Sequence, residues 1–197
     1  MIAVIDYKAG NLTSVMKALA AVCADAVATS DPDIVKQADK IVLPGVGHFS
    51  ATGYLEETGL KGAIDTCVHA GIPFLGICVG LQWLFQGSTE APDTPGLQAF
   101  CGQCERFPEG LKVPHVGWNS LQVKEESRLL QDVPSSSFVY FTHSYYAPVI
   151  YETVAITEYE QPFTAAVERG NVMGVQFHPE KSGPVGLQIL ENFVRLS

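Results

Sequence analysis

The sequence predicts an α/β fold with a mostly parallel central sheet flanked by helices and an antiparallel extension in its C-terminal half. Three observations predict it. Before about residue 95, near-continuous apolar runs alternate with stretches of helical spacing, the pattern of strands buried on both faces between crossover helices. After it, short strand-like runs follow one another directly, as hairpins do. A chain of 197 residues that is 47% hydrophobic can also build a large core, burying roughly two-thirds of its unfolded surface.

The elements follow in order. "IAVID" is a short apolar strand ending in turn residues. Asn11 to Val22 is a helix, with Leu12, Val15, Met16, Leu19 and Val22 on one face. "ADAVATS" and "KIVLPG" are the second and third strands. Residues 49–70 are mostly helical, with a break near Gly59. "IPFLGI" is the fourth strand, and a helix begins over Val79 to Phe85. Beyond it, "GWNSLQV", "SFVYFTH", "TVAITEY", "FTAAVE" and "NVMGVQF" form the antiparallel part, and "GLQILENFVRL" is an amphipathic closing helix. No linker and no repeat divides the chain, so the expectation is one domain over 1–197.

A formal net charge of −9 without a basic block argues against a nucleic-acid partner, because phosphate binding needs clustered Lys and Arg. No stretch reaches the roughly 20 apolar residues of a membrane span. The five cysteines are too few and too irregular for a disulfide framework. The expectation is a soluble cytoplasmic protein with reduced thiols.

One of those cysteines is placed for chemistry. "GICVG" puts Cys78 between Gly76 and Gly80, after an apolar strand and before a helix. This is the nucleophile-elbow pattern with Cys in place of Ser. A sharp strand-to-helix turn brings backbones close, so flanking side chains would clash. The turn exposes the nucleophile at the carboxyl edge of the sheet, where the helix start favours thiolate and offers N–H groups to an oxyanion. The competing reading is a buried structural cysteine beside packing glycines.

A thiolate needs a base, and five histidines are available. His69 reads as a surface residue near a helix end, His48 follows the "PGVG" turn, and His115 sits between loop and strand in "VPHVGWN". His143 and His178 both end strands. His178 is favoured because Glu180 lies two residues on, and i, i+2 side chains of an extended segment point the same way. That carboxylate can set the imidazole tautomer. A strand-end histidine with a surface glutamate is the alternative. Oxyanion donors are expected at Val79 and in "LPGVG", at Gly45, Val46 and Gly47, where glycines let peptides turn or flip. "CGQC" at 101–104 invites a zinc or redox reading, but zinc needs two more ligands and a redox motif should open a helix.

"LPGVG", "GICVGLQ" and "GVQFHPEKS" in this order resemble the class I, triad-type glutamine amidotransferases, over nearly the whole chain. The resemblance implies Cys78 as nucleophile, His178 as acid and base, and Glu180 as orienting carboxylate, with no metal and no organic cofactor. It implies glutamine as substrate, held by Gln82, Glu90, His143, Ser144 and Tyr145. "DYKAGNL", "KVPHVGWN" and "YFTHSYY" are similar to the glutaminase subunits of imidazole glycerol phosphate synthases, which dock on a separate (β/α)8 cyclase subunit. Lys8 departs from the glycine common in that family. The resemblance places Asn11, Trp118, Asn119, Tyr140 and Lys181 at the interface or along the ammonia route. Trp118 and Asn119 also combine a large ring with an amide, a common interface mixture, although a core Trp before a turn Asn fits them too. It further implies that a flipped peptide in "PGVG" switches the site off until the partner acts. Other readings are a subunit of a different synthase, a stand-alone γ-glutamyl hydrolase or peptidase, and a binding module with a vestigial elbow.

Overall fold

In the computed structural model, which describes every residue except Ala9, Leu111, Glu125 and Ser197, strands β1 (Ile2–Ile5), β2 (Ala26–Thr29), β3 (Lys40–Gly45) and β4 (Phe74–Cys78) run parallel. Helix α1 (Leu12–Ala21) joins β1 to β2. A short helix α2 (Pro32–Val35), absent from the sequence expectation, follows β2. Its start is built locally: the Asp31 side chain accepts the Asp33 N–H at 2.9 Å, and Pro32 occupies the first turn. Residues 49–69 hold a 3-10 turn over Phe49–Thr52, then α3 (Gly53–Glu57) and α4 (Leu60–His69), broken at Gly59 with φ 76°. That left-handed angle suits glycine.

After α5 (Val79–Trp83) come β5 (Glu105–Arg106), β6 (His115–Ser120), β7 (Gln122–Val123), β8 (Phe138–His143), β9 (Tyr145–Tyr146), β10 (Thr153–Glu158), β11 (Pro162–Arg169), β12 (Val172–Val175) and the closing helix α6 (Gly183–Arg195). The main sheet has the order β2-β1-β3-β4-β12-β11-β10-β7, and its last three strands are the antiparallel extension. Strand β12 turns the sheet from one mode to the other, running antiparallel to β11 and parallel to β4.

Two expectations need correction. "GWNSLQV" is not one strand of the extension: β6 pairs only with β8 in a separate antiparallel ribbon, and only β7 joins the main sheet. Gly117, at φ 138°, lies inside β6. Burial along β6 reads buried, exposed, half-buried, exposed, so one face of the ribbon is uncovered. Helix α5 also ends at Trp83, short of Phe85. Beyond it the backbone turns back, with Leu97 N–H on the Trp83 carbonyl at 2.6 Å.

Valine, isoleucine and phenylalanine side chains of β1, β3, β4 and β12 form the centre of the core, with Phe74, Phe163, Phe177 and Trp83 among its largest buried members. Among the described residues no helix is long and apolar enough to cross a membrane.

Candidate active site

The register of the central strands assembles the site. Gly45, ending β3, pairs with Cys78, ending β4, and Val175, ending β12, pairs with Ile77. Carrying β12 on by three residues therefore brings His178 beside Cys78. The "LPGVG" and "GVQFHPE" segments flank the cysteine because their strands are its two neighbours.

Cys78 adopts φ 56°, ψ −107°. For a residue with a β-carbon this costs about 1–3 kcal/mol and persists only where surroundings impose it. The surroundings do so through glycine. A β-carbon on Gly76 would overlap the Gly80 carbonyl, and one on Gly80 would overlap the Leu43 carbonyl oxygen. The steric reading of G-x-C-x-G holds atom by atom.

His178 and Glu180 have fully buried side chains, and His178 Nδ1 lies 2.7 Å from Glu180 Oε1. The pairing is the expected one, but its backbone is not an extended segment. Residues Pro179–Lys181 form a 3-10 turn with His178 at its start, and this turn folds the carboxylate back onto the Nδ1 edge of the ring. Burial disfavours the imidazolium, yet Cys78 and Glu180 together outweigh it and raise the His178 pKa to about 9. Its Nε2 is buried without a hydrogen bond, and Cys78 is the remaining group that acts on the ring.

Asn11, expected near the ammonia route, reaches the His178–Glu180 pair. Its Nδ2 donates to Glu180 Oε1 and lies 3.5 Å from His178 Nδ1. Asn11 holds φ 80° at the start of α1, a conformation asparagine tolerates better than most residues.

Cys78 opens onto a cleft of about 230 Å³, lined by Val46, Gly47, Val79, Gln82, Glu90, Pro114 and residues 142–145. The expected oxyanion and substrate residues are thus brought together. Gly45 packs against the elbow beside Val79. Glu90 Oε2 accepts the Phe49 N–H at 2.7 Å, tying its loop to the segment that follows "PGVG". Gln82 donates through Nε2 to the Tyr145 carbonyl at 2.9 Å and to Gln176 Oε1 at 3.1 Å.

His143 lines the cleft, but both its ring nitrogens are engaged inside the protein. Nδ1 donates to the Tyr145 carbonyl at 2.8 Å, and Nε2 meets His115 Nδ1 at 3.0 Å. A carbonyl only accepts, so His143 carries its proton on Nδ1 and His115 donates to its Nε2. Burial lowers both pKa values, to about 4 for His115 and about 3 for His143, so the pair stays neutral. With both nitrogens engaged inside the protein, His143 presents no free ring nitrogen to the cleft.

Trp118, Asn119 and Tyr140 lie on the ribbon, and Lys181 ends the 3-10 turn packed against it. Trp118 is 56% exposed and meets the Tyr140 ring edge-on at 6.1 Å. The core reading of Trp118 is thereby excluded. Lys181 Nζ lies 5.9 Å over the same Tyr140 ring. Asn119 is half-buried, donating to the Glu158 carbonyl at 2.9 Å and lying 3.4 Å from His115 Nε2. Lys8 packs on the Tyr54 ring at 5.0 Å, while Ala9 of "DYKAGNL" lies outside the described residues. Cys101 is exposed and Cys104 buried, with the Cys104 sulfur on the Gln82 carbonyl.

Sequence reasoning passed over two residues. Gln176 donates through Nε2 to Cys78 Sγ at 3.6 Å. The signal was a lone amide inside the apolar run "VMGVQF". The Tyr7 hydroxyl, buried and unbonded, lies against Gly45. Burial and the nearby Cys78 push its pKa up. Nothing in "DYKAG" marked it.

Known proteins resemble this chain in sequence and in fold. A family model for class-I glutamine amidotransferases matches residues 3–196. The chain is 50% identical over 202 residues to imidazole glycerol phosphate synthase subunit HisH of Thermococcus kodakarensis, covering 100% of both chains. It is 50% identical over 198 residues to the subunit of the same name from Methanothermobacter thermautotrophicus, covering 100% of this chain and 98% of that one. Among solved structures, a glutamine amidotransferase crystal structure superposes with a TM-score of 0.77 at 20% identity, covering 98% of this chain and 99% of the other. The glutaminase domain of a Trypanosoma brucei CTPS with bound acivicin superposes at 0.67 and 15% identity, covering 100% and 94%. At those identities the likeness concerns the fold.

Proposed function

Because this chain belongs to the class-I glutamine amidotransferases, we propose that it is the glutaminase subunit of an imidazole glycerol phosphate synthase, releasing ammonia for a cyclase partner in the cytoplasm. One observation carries the reading: Cys78, in a strained elbow, shares the edge of two adjacent parallel strands with the buried His178–Glu180 pair.

The chemistry follows from the parts. The Cys78 thiolate attacks the side-chain amide carbon of glutamine. A carbon–sulfur bond forms and the carbonyl electron pair moves onto oxygen. Val79 and the 45–47 segment line the place where that oxyanion sits, and N–H donors there stabilise it more than the ground state. The raised pKa of His178 keeps it protonated at neutral pH, so it can protonate the departing nitrogen as the carbon–nitrogen bond breaks. Ammonia leaves and a thioester remains. The neutral imidazole then takes a proton from water, which attacks the thioester. The carbon–sulfur bond breaks, giving glutamate and the thiolate. Glu180 holds Nδ1–H throughout, so Nε2 is the nitrogen that exchanges the proton.

The same reading assigns the outward ribbon face of Trp118 and Tyr140, with Lys181 of the adjoining 3-10 turn over the Tyr140 ring, to a (β/α)8 cyclase subunit. Asn119, on the opposite face of β6, and Asn11, at the His178–Glu180 pair, lie inward of it. Val116, Trp118 and Phe138 are each more than half exposed on this ribbon, and unpartnered apolar area of this kind marks association sites. The segment around "PGVG" is the natural control point, since Gly47 at φ 102° sits where a peptide flip exchanges an N–H for a carbonyl in the cleft. The chain by itself is then nearly inactive. The test is glutaminase turnover of the chain alone, with cyclase subunit, and with cyclase plus its nucleotide ligand. Stepwise activation supports the reading. High turnover by the isolated chain, unchanged by either addition, overturns it and favours a stand-alone γ-glutamyl hydrolase.

A further inference from the structure

The hydrogen bonds around Cys78 do not stop at the triad. The Tyr145 carbonyl can only accept, and two donors converge on it: His143 Nδ1 at 2.8 Å and Gln82 Nε2 at 2.9 Å. This fixes which end of the Gln82 amide points where. The second hydrogen on the same nitrogen is directed to Gln176 Oε1 at 3.1 Å. Gln176 then has its oxygen occupied, and its Nε2 must face the cysteine sulfur, which it does at 3.6 Å. Gln176 is fully buried and Gln82 nearly so. Turning Gln176 over would set its amide nitrogen against the Gln82 donor, and turning Gln82 over would set its oxygen against the Tyr145 carbonyl, each a loss of about 1–3 kcal/mol.

We propose that Gln176 is a further catalytic residue, an N–H donor aimed at the sulfur of Cys78 that favours its thiolate, and that Gln82 is the positioning residue that locks its amide. A donor on sulfur favours the form carrying negative charge. It also restrains the direction from which the sulfur meets the substrate. The Thr142 carbonyl lies 4.0 Å from the same sulfur, and Gln176 is the amide donor that meets the sulfur and exchanges no proton. The lock extends outward: Asn119, His115 and His143 support the Tyr145 carbonyl from the ribbon side. This inference rests on the proposed function only for the identity of the nucleophile.

The test reads the sulfur directly and needs neither glutamine nor a partner. Alkylation of Cys78 by iodoacetamide at neutral pH is followed by peptide mass, which separates it from the exposed Cys23 and Cys101. Gln176→Glu keeps the acceptor for Gln82 but sets a carboxylate against the sulfur. Gln176→Met removes the donor at similar length. We expect alkylation slower by tenfold or more, on the order of 10 to 10², for Gln176→Met, the size of one hydrogen bond to a charged group, and a larger loss for Gln176→Glu. Gln82→Leu slows alkylation by less, and adds nothing in combination with Gln176→Met. Folded Gln176 variants that alkylate at the wild-type rate overturn the proposal. In case the variants fail to fold, the wild-type chain gives a second measurement. The side-chain amide signals of Gln176 shift on alkylation of Cys78 while those of exposed Gln98 do not, and unmoved Gln176 signals overturn the proposal as well. A chain without glutaminase activity whose Cys78 still responds to Gln176 would fail the functional reading and leave this inference standing.

Discussion

The end of β4 and the β6–β8 ribbon are built on opposite terms. At the end of β4 nearly everything is buried and over-determined. Glycines at 76 and 80 leave no room for other residues, Cys78 holds a strained backbone, and His178 and Glu180 have no exposed side-chain surface. On the ribbon, Val116, Trp118 and Phe138 face outward with nothing packed over them. The first region is finished by this chain alone. The second carries the exposed apolar area of an association surface. Chemistry is held by packing, and control is left to a surface that a second molecule can cover.

The largest effect that tests this contrast is at the nucleophile. Cys78→Ala should abolish glutamine-dependent synthesis by the complex while ammonia-dependent synthesis persists, because the alanine removes only the ammonia source. Loss of both activities would place Cys78 in the partner's chemistry too. Next is the orienting carboxylate. Glu180→Gln keeps the shape but offers Nδ1 an amide, and kcat should fall by on the order of 10³ or more with little change in KM.

The same pair sets a pH dependence of stability. The His178 pKa is raised from its ordinary value to about 9 in the folded chain. Its contribution is therefore full below about pH 6.5, the unfolded value, and is lost as pH rises towards 9. His115 and His143 act in the opposite direction, since burial lowers their pKa values to about 4 and about 3. Their neutral pairing is intact above about pH 6.5 and costs stability as pH falls below it. Denaturant midpoints measured from pH 4 to 9 should show both limbs. Glu180→Gln should weaken the alkaline one, which Cys78 also sustains, and His115→Phe the acid one.

A further step down is Gly80→Ala. Its β-carbon would overlap the Leu43 carbonyl, and overpacking of this kind costs about 1–3 kcal/mol. Urea unfolding should show a lower midpoint, whereas Gly62→Ala, where nothing lies within 4 Å, should not. The smallest effect on the chain itself belongs to the ribbon. Trp118→Ala should leave its unfolding free energy within about 0.5 kcal/mol. Its affinity for the cyclase should fall by about 2 kcal/mol or more, measured by titration calorimetry, as for a buried aromatic anchor. Equal losses in both would make Trp118 a folding residue and erase the contrast.

Much of this was legible in the sequence, for local reasons. Apolar runs of strand length and helical spacing near the start specify buried parallel strands, and the G-x-C-x-G pattern specifies a turn that only glycine permits. Those are short-range constraints, written within a few residues of where they act. His178–Glu180 was legible as a pair, although a 3-10 turn and not an extended strand brings the two together.

What only the tertiary structure decided is long-range. Asn11 bonds a carboxylate 169 positions away. Gln176 meets Cys78 across 98 positions, and His115 meets His143 across 28. The ribbon's separation from the main sheet decided that Trp118 is surface and not core. Spacing along a chain cannot encode such meetings, because they depend on which strands become neighbours. That order, with β4 between β3 and β12, is set by the packing of the whole core.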